Sequence, residues 1–327
     1  MFDLPSVLTA QGLLDKAFGR AAKVTVTGLG RVTKARNLAV ARVKSAGLTI
    51  ETSLRGYVKG FPSIDRLPPF YRELVDVLVD RGRLKKHLGA VDWAAEKAGQ
   101  VARDYRRRIG RASGPEIGAL RRQAYGRLSS LVNQVSADLD GLVEARRALR
   151  RLPIVDPDVP TIVVAGYPNV GKSSFVRAVS TGRPKVAEYP FTTKGVSLGH
   201  IERGIRRYQI LDTPGILDRP MEKRNRMERQ AIAALRHLAN AVLFLIDPTE
   251  TCGYPLVAQE KLLEEVRALF PDAPIVVVET KADLGGASTG SKKISAVSGE
   301  GVPDVLDLVL SKLTSRGPGG APRPGVP

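Results

Sequence analysis

The densest chemistry in the chain lies in Gly166-Tyr167-Pro168-Asn169-Val170-Gly171-Lys172-Ser173-Ser174. This run matches GxxxxGK[ST] and sits where the pattern needs it, after the apolar run Thr161 to Ala165 and before an amphipathic stretch. The glycines let the backbone curl so that the N–H groups from Asn169 to Ser174 converge on phosphate oxygens. The following helix N-terminus adds partial positive charge. Lys172 is expected to reach β- and γ-phosphates, and the Ser173 hydroxyl to ligate Mg²⁺.

Downstream, Leu211-Asp212-Thr213-Pro214-Gly215 again ends a predicted strand. Asp212 can hold Mg²⁺ through water, and the Gly215 N–H can meet a γ-phosphate. That contact exists only with a triphosphate, so the loop after it is a natural switch. Between the two motifs lies Tyr189-Pro190-Phe191-Thr192-Thr193-Lys194. Of the paired threonines, Thr193 is expected to complete the metal shell, with Thr192 beside it. Lys172, Thr193 and Gly215 are thus the residues expected to act on the reacting phosphate.

Base choice follows from Thr280-Lys281-Ala282-Asp283, after the apolar run Ile275 to Val278. A carboxylate at Asp283 can accept both N1–H and N2–H of guanine, and adenine offers no such donor pair. Lys281 can lie along the base, and Ser295-Ala296-Val297 can offer backbone N–H groups to guanine O6. Asparagine usually stands where this chain has Thr280, a shorter side chain that puts affinity, not specificity, in question. The sequence therefore predicts a GTP/GDP site with Mg²⁺. The five loops run in unpermuted order, which excludes the circularly rearranged GTPases of ribosome assembly.

Many GTPases place a glutamine after the glycine of the second motif to orient the attacking water; here it is Ile216. An alkyl group makes no hydrogen bond, so slow intrinsic hydrolysis is expected. Help can come from an arginine supplied in trans, worth ~10³–10⁵ in rate, or from K⁺. Asn169 is the residue type that ligates K⁺ in related GTPases, and equal rates in NaCl and KCl would remove that idea.

Two kinds of element must position these loops. Before about residue 151 the apolar residues keep a helical period: Val32 to Ala46, Leu67 to Leu84, Val91 to Ile109, and Ile117 to Leu142 as one long helix with Ser113 as its N-cap. Pro153, Pro157 and Pro160 interrupt the chain. Short apolar runs then alternate with helical stretches, with strands at 161–165, 207–211, 241–246 and 275–278 and helices near 172–180, 222–238, 256–269 and 302–313. The fold class expected is a helical bundle (1–159), followed by an α/β P-loop domain with a mostly parallel sheet covered on both faces (160–315). A Gly/Pro-rich tail (316–327) is expected to be disordered.

Composition narrows the setting. The net charge is +18, with 29 basic and 16 acidic residues in positions 1–160 against 22 and 17 thereafter. A lopsided basic balance points to a polyanion, most often nucleic acid. No apolar run approaches the ~20 residues of a membrane span, and no signal peptide is visible. The single cysteine, Cys252, precludes an intramolecular disulfide and suits a reducing cytoplasm; it reads as a small residue near an element end. His87, His200 and His237 lack metal-ligand spacing and read as structural or surface residues.

GYPNVGKSSF, YPFTTKG, LDTPGILDRP and RNRMERQAIAALRHL, together with FPSIDRLPPFYRELVDVL in the first half, resemble the nucleolar GTP-binding protein 1 family, relatives of the Obg GTPases. FPSIDRLPPFY is the more telling part, because generic GTPases lack it. The resemblance implies a helical N-terminal domain, a GTPase domain and a role in maturation of the large ribosomal subunit through precursor rRNA. Nuclear members carry a long basic extension after the GTPase domain that is not seen in this chain. An archaeal, cytoplasmic, monomeric member is expected. Candidate RNA contacts are Arg103, Arg106, Arg107, Arg108 and Arg111; Arg121 and Arg122; Arg146, Arg147, Arg150 and Arg151; and, after the switch, Lys223, Arg224, Arg226 and Arg229. Tyr105 and Tyr125 read as core. Two other readings remain: a signalling or translation-associated GTPase with a protein partner, and a GTP-binding assembly scaffold with negligible turnover.

Overall fold

The computed structural model describes residues 4–27, 30–152, 154–187, 189, 195–285 and 290–313. It resolves into two compact units: one runs to Ser63 and then over Val79–Arg150, the other takes Ile64–Leu78 and the chain from Arg151.

The first unit is all helical: α1 (Ala10–Ala22), α2 (Arg31–Gly60), α4 (Arg81–Arg111), α5 (Pro115–Gln134) and α6 (Ser136–Leu149), with α3 (Pro69–Val79) between α2 and α4 belonging to the other unit. The long helices α2 and α4 pack along each other and touch where Gly47 meets Ala102, a position with no room for a Cβ. Val43, Ile109, Ile117, Leu120 and Ala124 form a core cluster against which Tyr105 and Tyr125 pack half-buried.

Two expected helices are broken. The Leu67–Leu84 period conceals a boundary at Asp80, whose backbone takes φ 52° while its carboxylate caps α4 through Gly82 N and Arg83 N. The Ile117–Leu142 period runs across a break at Val135, φ −104° and ψ 19°. An apolar stripe survives a local kink that costs few backbone hydrogen bonds, so periodicity alone cannot see it. The start of α5 is capped at Gly114, not Ser113, with Pro115 in its first turn.

The second unit holds a seven-stranded sheet in the order β2 (Lys185–Ala187), β3 (Val196–Arg203), β4 (Arg206–Asp212), β1 (Thr161–Ala165), β5 (Ala239–Ile246), β6 (Ile275–Glu279) and β7 (Lys292–Lys293). From β4 through β7 the strands are parallel; β2 and β3 form an antiparallel edge that the sequence had not signalled. All five residues of β1 are buried, as a strand covered on both faces requires. The helices are α7 (Lys172–Val179), α8 (Arg226–Ala234), α9 (Leu256–Leu269) and α10 (Val302–Lys312). α8 is shorter than the expected 222–238 because it starts in a capping box, Asn225 with Glu228, and tightens into a 3₁₀ turn at Leu235–His237.

α3 is fastened to this unit by named contacts. The buried Tyr71 hydroxyl donates to Val155 O (2.7 Å) and accepts from Val155 N (2.8 Å). Burial outweighs these bonds and pushes its phenol up to about 12. Glu73 meets His237 Nε2 at 2.8 Å and Arg236 at 3.8 Å.

Candidate nucleotide site

The adjacent parallel strands β4, β1, β5 and β6 end side by side, and the loops that leave their carboxyl ends form one crevice edge. The phosphate loop leaves β1 at Gly166, with φ 132°, where a Cβ would come 2.5 Å from Leu245 O. Only glycine fits that approach. Asn169 is left-handed (φ 64°), a conformation asparagine tolerates better than most residues, and Gly171 (φ 99°) delivers the chain into α7. Val170 is fully buried beneath the loop, and Ser174 Oγ accepts from Arg177.

The side chains expected to meet phosphate are wired to one another. Lys172, 6% exposed, donates from Nζ to Gly166 O (2.8 Å) and Tyr167 O (2.7 Å). Ser173 Oγ donates to Asp212 Oδ2 at 2.5 Å. Asp212 is 1% exposed, and its Oδ1 is buried without a hydrogen-bond partner among the described residues. Burial raises the Asp212 carboxyl above its usual range, against the Ser173 hydrogen bond and the Lys172 charge. A buried, orphaned carboxylate oxygen beside a serine hydroxyl suits a hard divalent cation such as Mg²⁺, directly or through water. The donor set fits the metal that the sequence implies. Thr192 and Thr193 lie outside the described residues.

Beyond Asp212, Thr213 Oγ1 donates to Val164 O (2.7 Å), locking this loop to β1. Gly215 has φ 76°, and its N–H donates to Asp218 Oδ2 at 2.6 Å. Ile216 is 1% exposed, and its N–H donates to Thr213 O.

On the base side, Thr280 Oγ1 donates to Ile246 O (3.1 Å), so the short hydroxyl ties β6 to β5. Lys281 is left-handed (φ 60°), with Nζ 2.7 Å from both Asp247 Oδ2 and Thr251 Oγ1. Asp283 is exposed in the 3₁₀ turn Ala282–Leu284, where a carboxylate can meet a ligand. The buried Ser295 spends its N–H on Glu300 O (3.0 Å), whereas Val297 is 90% exposed.

Sequence reasoning missed the loop after β5. Asp247 is buried and accepts from Thr249 N, Thr249 Oγ1, Thr251 Oγ1, Cys252 N and Lys281 Nζ. Burial pushes its carboxyl up, but these donors, Lys281 first, more than reverse that and leave it below the ordinary range. Gln259 of α9 bonds both Asp247 N and Asp247 O, and the Tyr254 ring lies 4.3 Å from that of Tyr167 in the phosphate loop. The available signal was a carboxylate immediately after an apolar strand.

Arg224 also differs from the reading of it as a surface cation. It is 5% exposed, precedes α8, and binds Gly215 O and Asp218. In the helical unit, Arg103, Arg106 and Arg107 with Val40 line a cavity of about 470 Å³, and Arg106 Nε is buried without a partner among the described residues. Arg107 also pairs with Asp104, Arg108 lies over the Tyr105 ring, and Arg146 donates to Leu4 O. His87 pairs with Asp138 at 2.8 Å; among the described residues no three His, Cys, Asp or Glu gather as metal ligands. No helix among them is long and apolar enough to cross a membrane.

Comparison with known proteins identifies the family. The NOG1 N-terminal helical domain profile matches residues 2–156, the nucleolar GTP-binding protein 1 (NOG1) profile matches residues 226–283, and that of ferrous iron transport protein B matches residues 160–252. An uncharacterized protein of Methanocaldococcus jannaschii is 39% identical over 86% of this chain and 80% of its own length. Nucleolar GTP-binding protein 1 of Saccharomyces cerevisiae is 37% identical over 86% of this chain but only 44% of its own length, so the chain spans less than half of that relative. A solved Plasmodium falciparum structure described as a nucleolar GTP-binding protein 1 is 33% identical, with 50% of this chain and 90% of that one covered at a TM-score of 0.43.

Proposed function

This chain belongs to the nucleolar GTP-binding protein 1 family, and from that premise we propose that it is a slow, Mg²⁺-dependent GTPase switch that acts in large ribosomal subunit assembly by gripping rRNA. The observation that supports this most is the pairing of Ser173 with a buried Asp212 whose second oxygen has no partner, beside a buried Lys172. Lys172 is placed to exchange two loop carbonyls for phosphate oxygens. Ser173 and Thr193 would hold Mg²⁺ directly, and Asp212 through water. When bound, Mg²⁺ neutralises charge across the β- and γ-phosphate oxygens. The Gly215 N–H then serves the terminal phosphate, and Asp283, backed by Lys281 and the Ala296 and Val297 N–H groups, selects guanine.

Slow turnover follows from Ile216. An apolar, buried side chain holds no water in line, so the chain depends on help from outside that position. An arginine from an activating partner is one source, and K⁺ bound near Asn169 is another. The basic helical residues supply the grip on RNA. Arg103, Arg106 and Arg107 around one cavity suit a phosphate group, since each guanidinium offers a planar fork of donors.

The test is co-sedimentation of the full chain with large ribosomal subunits and their precursors, with GDP and with a non-hydrolysable GTP analogue. Stronger binding with the analogue, weakened by salt and by replacing the three arginines with glutamine, is the expected result. Indifference to nucleotide, salt and arginines would leave a GTPase whose partner is a protein.

A further inference from the structure

Both backbone polar groups of Gly215, its N–H and its C=O, are claimed by side chains to which the nucleotide motifs give no role. Its N–H donates to Asp218 Oδ2 at 2.6 Å, and its C=O accepts from Arg224 Nη1 at 2.8 Å. The two side chains also face each other, with Arg224 Nη2 3.5 Å from Asp218 Oδ1. Arg224 is 5% and Asp218 9% exposed, and Arg224 Nε is buried without a partner among the described residues. The result is a closed bracket of carboxylate, guanidinium and one glycine, sealed from most of the solvent.

The bracket has a chemical meaning because of which N–H it occupies. The Gly215 N–H is the donor expected to receive the terminal phosphate, and a carboxylate oxygen is the nearest protein equivalent of a phosphate oxygen: anionic and acceptor-only. One N–H aligned with a carboxylate at 2.6 Å cannot serve a second anion equally well. Bringing a γ-phosphate to the same donor also places it against the Asp218 charge in a poorly solvated pocket, where repulsion is strong. GDP makes no such demand.

We propose that Asp218 competes with the terminal phosphate of GTP for the Gly215 N–H, and that the Asp218–Arg224 pair thereby sets the balance between GTP and GDP. Arg224 holds the carboxylate in its competing position. When the phosphate wins, Asp218 retains Arg224 as its counter-ion and no charge is left bare. Asp218 is a specificity-determining residue, and Arg224 a positioning residue that acts through it. The inference rests on the nucleotide site proposed above.

The test measures the affinities of full-length wild-type protein and Asp218→Asn for GDP and for a non-hydrolysable GTP analogue, using fluorescent nucleotides. The amide keeps the shape and removes the charge. Affinity for the analogue should rise about ten-fold relative to GDP, the order of one charge-assisted hydrogen bond, while GDP affinity stays put and reports an intact fold. Asp218→Ser, small and neutral, should move the ratio in the same direction. An unchanged or reversed ratio overturns the proposal, and so does loss of GDP binding in both variants, which would make the pair a structural brace. Failure of the wild-type protein to bind either nucleotide would instead sink the nucleotide-site reading itself.

Discussion

The phosphate end and the base end of the nucleotide site are built on different plans. At the phosphate end the motif residues brace one another: Lys172 holds its own loop, Ser173 holds Asp212, and Thr213 holds β1. At the base end the motif residue Lys281 leans on Asp247 and Thr251, which belong to no nucleotide motif, and Asp247 leans on Gln259 of α9. Gly215 apart, which Asp218 and Arg224 hold, the phosphate end is self-supporting, and the base end is propped from behind. A motif records what touches the ligand, and only where those residues also touch each other does it record the support.

Three measurements would sharpen or break that contrast. The largest effect should come from Lys172→Ala, which is expected to weaken GTP binding at least ~100-fold, because hydrogen bonds to charged groups are worth about 1.5–3 kcal/mol each and Lys172 is proposed to serve two phosphates. Equilibrium titration with a fluorescent GTP checks it, and a loss below about five-fold would mean that the loop does not depend on its lysine.

Asp247→Ala should cost less, roughly ten-fold, and should do so equally for GDP and for a GTP analogue if the prop serves the base and not the phosphates. If the loss fell mainly on the analogue, the base end would not be independent of the phosphate end, and the Tyr167–Tyr254 ring pair would be the obvious bridge.

The smallest effect is on stability in acid. The Asp247 carboxyl is depressed in the folded protein, so its stabilising contribution is complete above the ordinary carboxylate range and is lost as pH falls through the lower folded value. Melting temperatures of wild type and Asp247→Asn should therefore differ near neutrality and draw together as pH falls below the ordinary carboxylate range. A gap that persisted there would show that the carboxylate is not what the surrounding donors stabilise.

The same contrast explains what the sequence made legible. Phosphate binding needs glycines, a lysine and a hydroxyl at fixed spacing along one continuous stretch, so Gly166 to Ser174 could be read directly, as could Asp212 at a strand end. Asp247 and Lys281 meet only because β5 and β6 are neighbours, and Asp218 and Arg224 only because the loop after Gly215 folds back on itself. Such pairings have no period and no fixed spacing. The bundle shows the same limit: Val135 and Asp80 interrupt helices without disturbing the apolar stripe, whereas the alternation of strand and helix after Pro160 carried the α/β fold plainly. The short β2 and the antiparallel β3 escaped because an edge hairpin adds no new apolar run.

The fastening of α3 bears on how the chain is made. Residues 64–78 leave the ribosome well before Val155 and His237, to which Tyr71 and Glu73 attach. During synthesis Tyr71 and Glu73 therefore precede the groups they bond by 84 and 164 residues. The two units are interleaved along the chain, so the second one closes only after most of the protein has been translated.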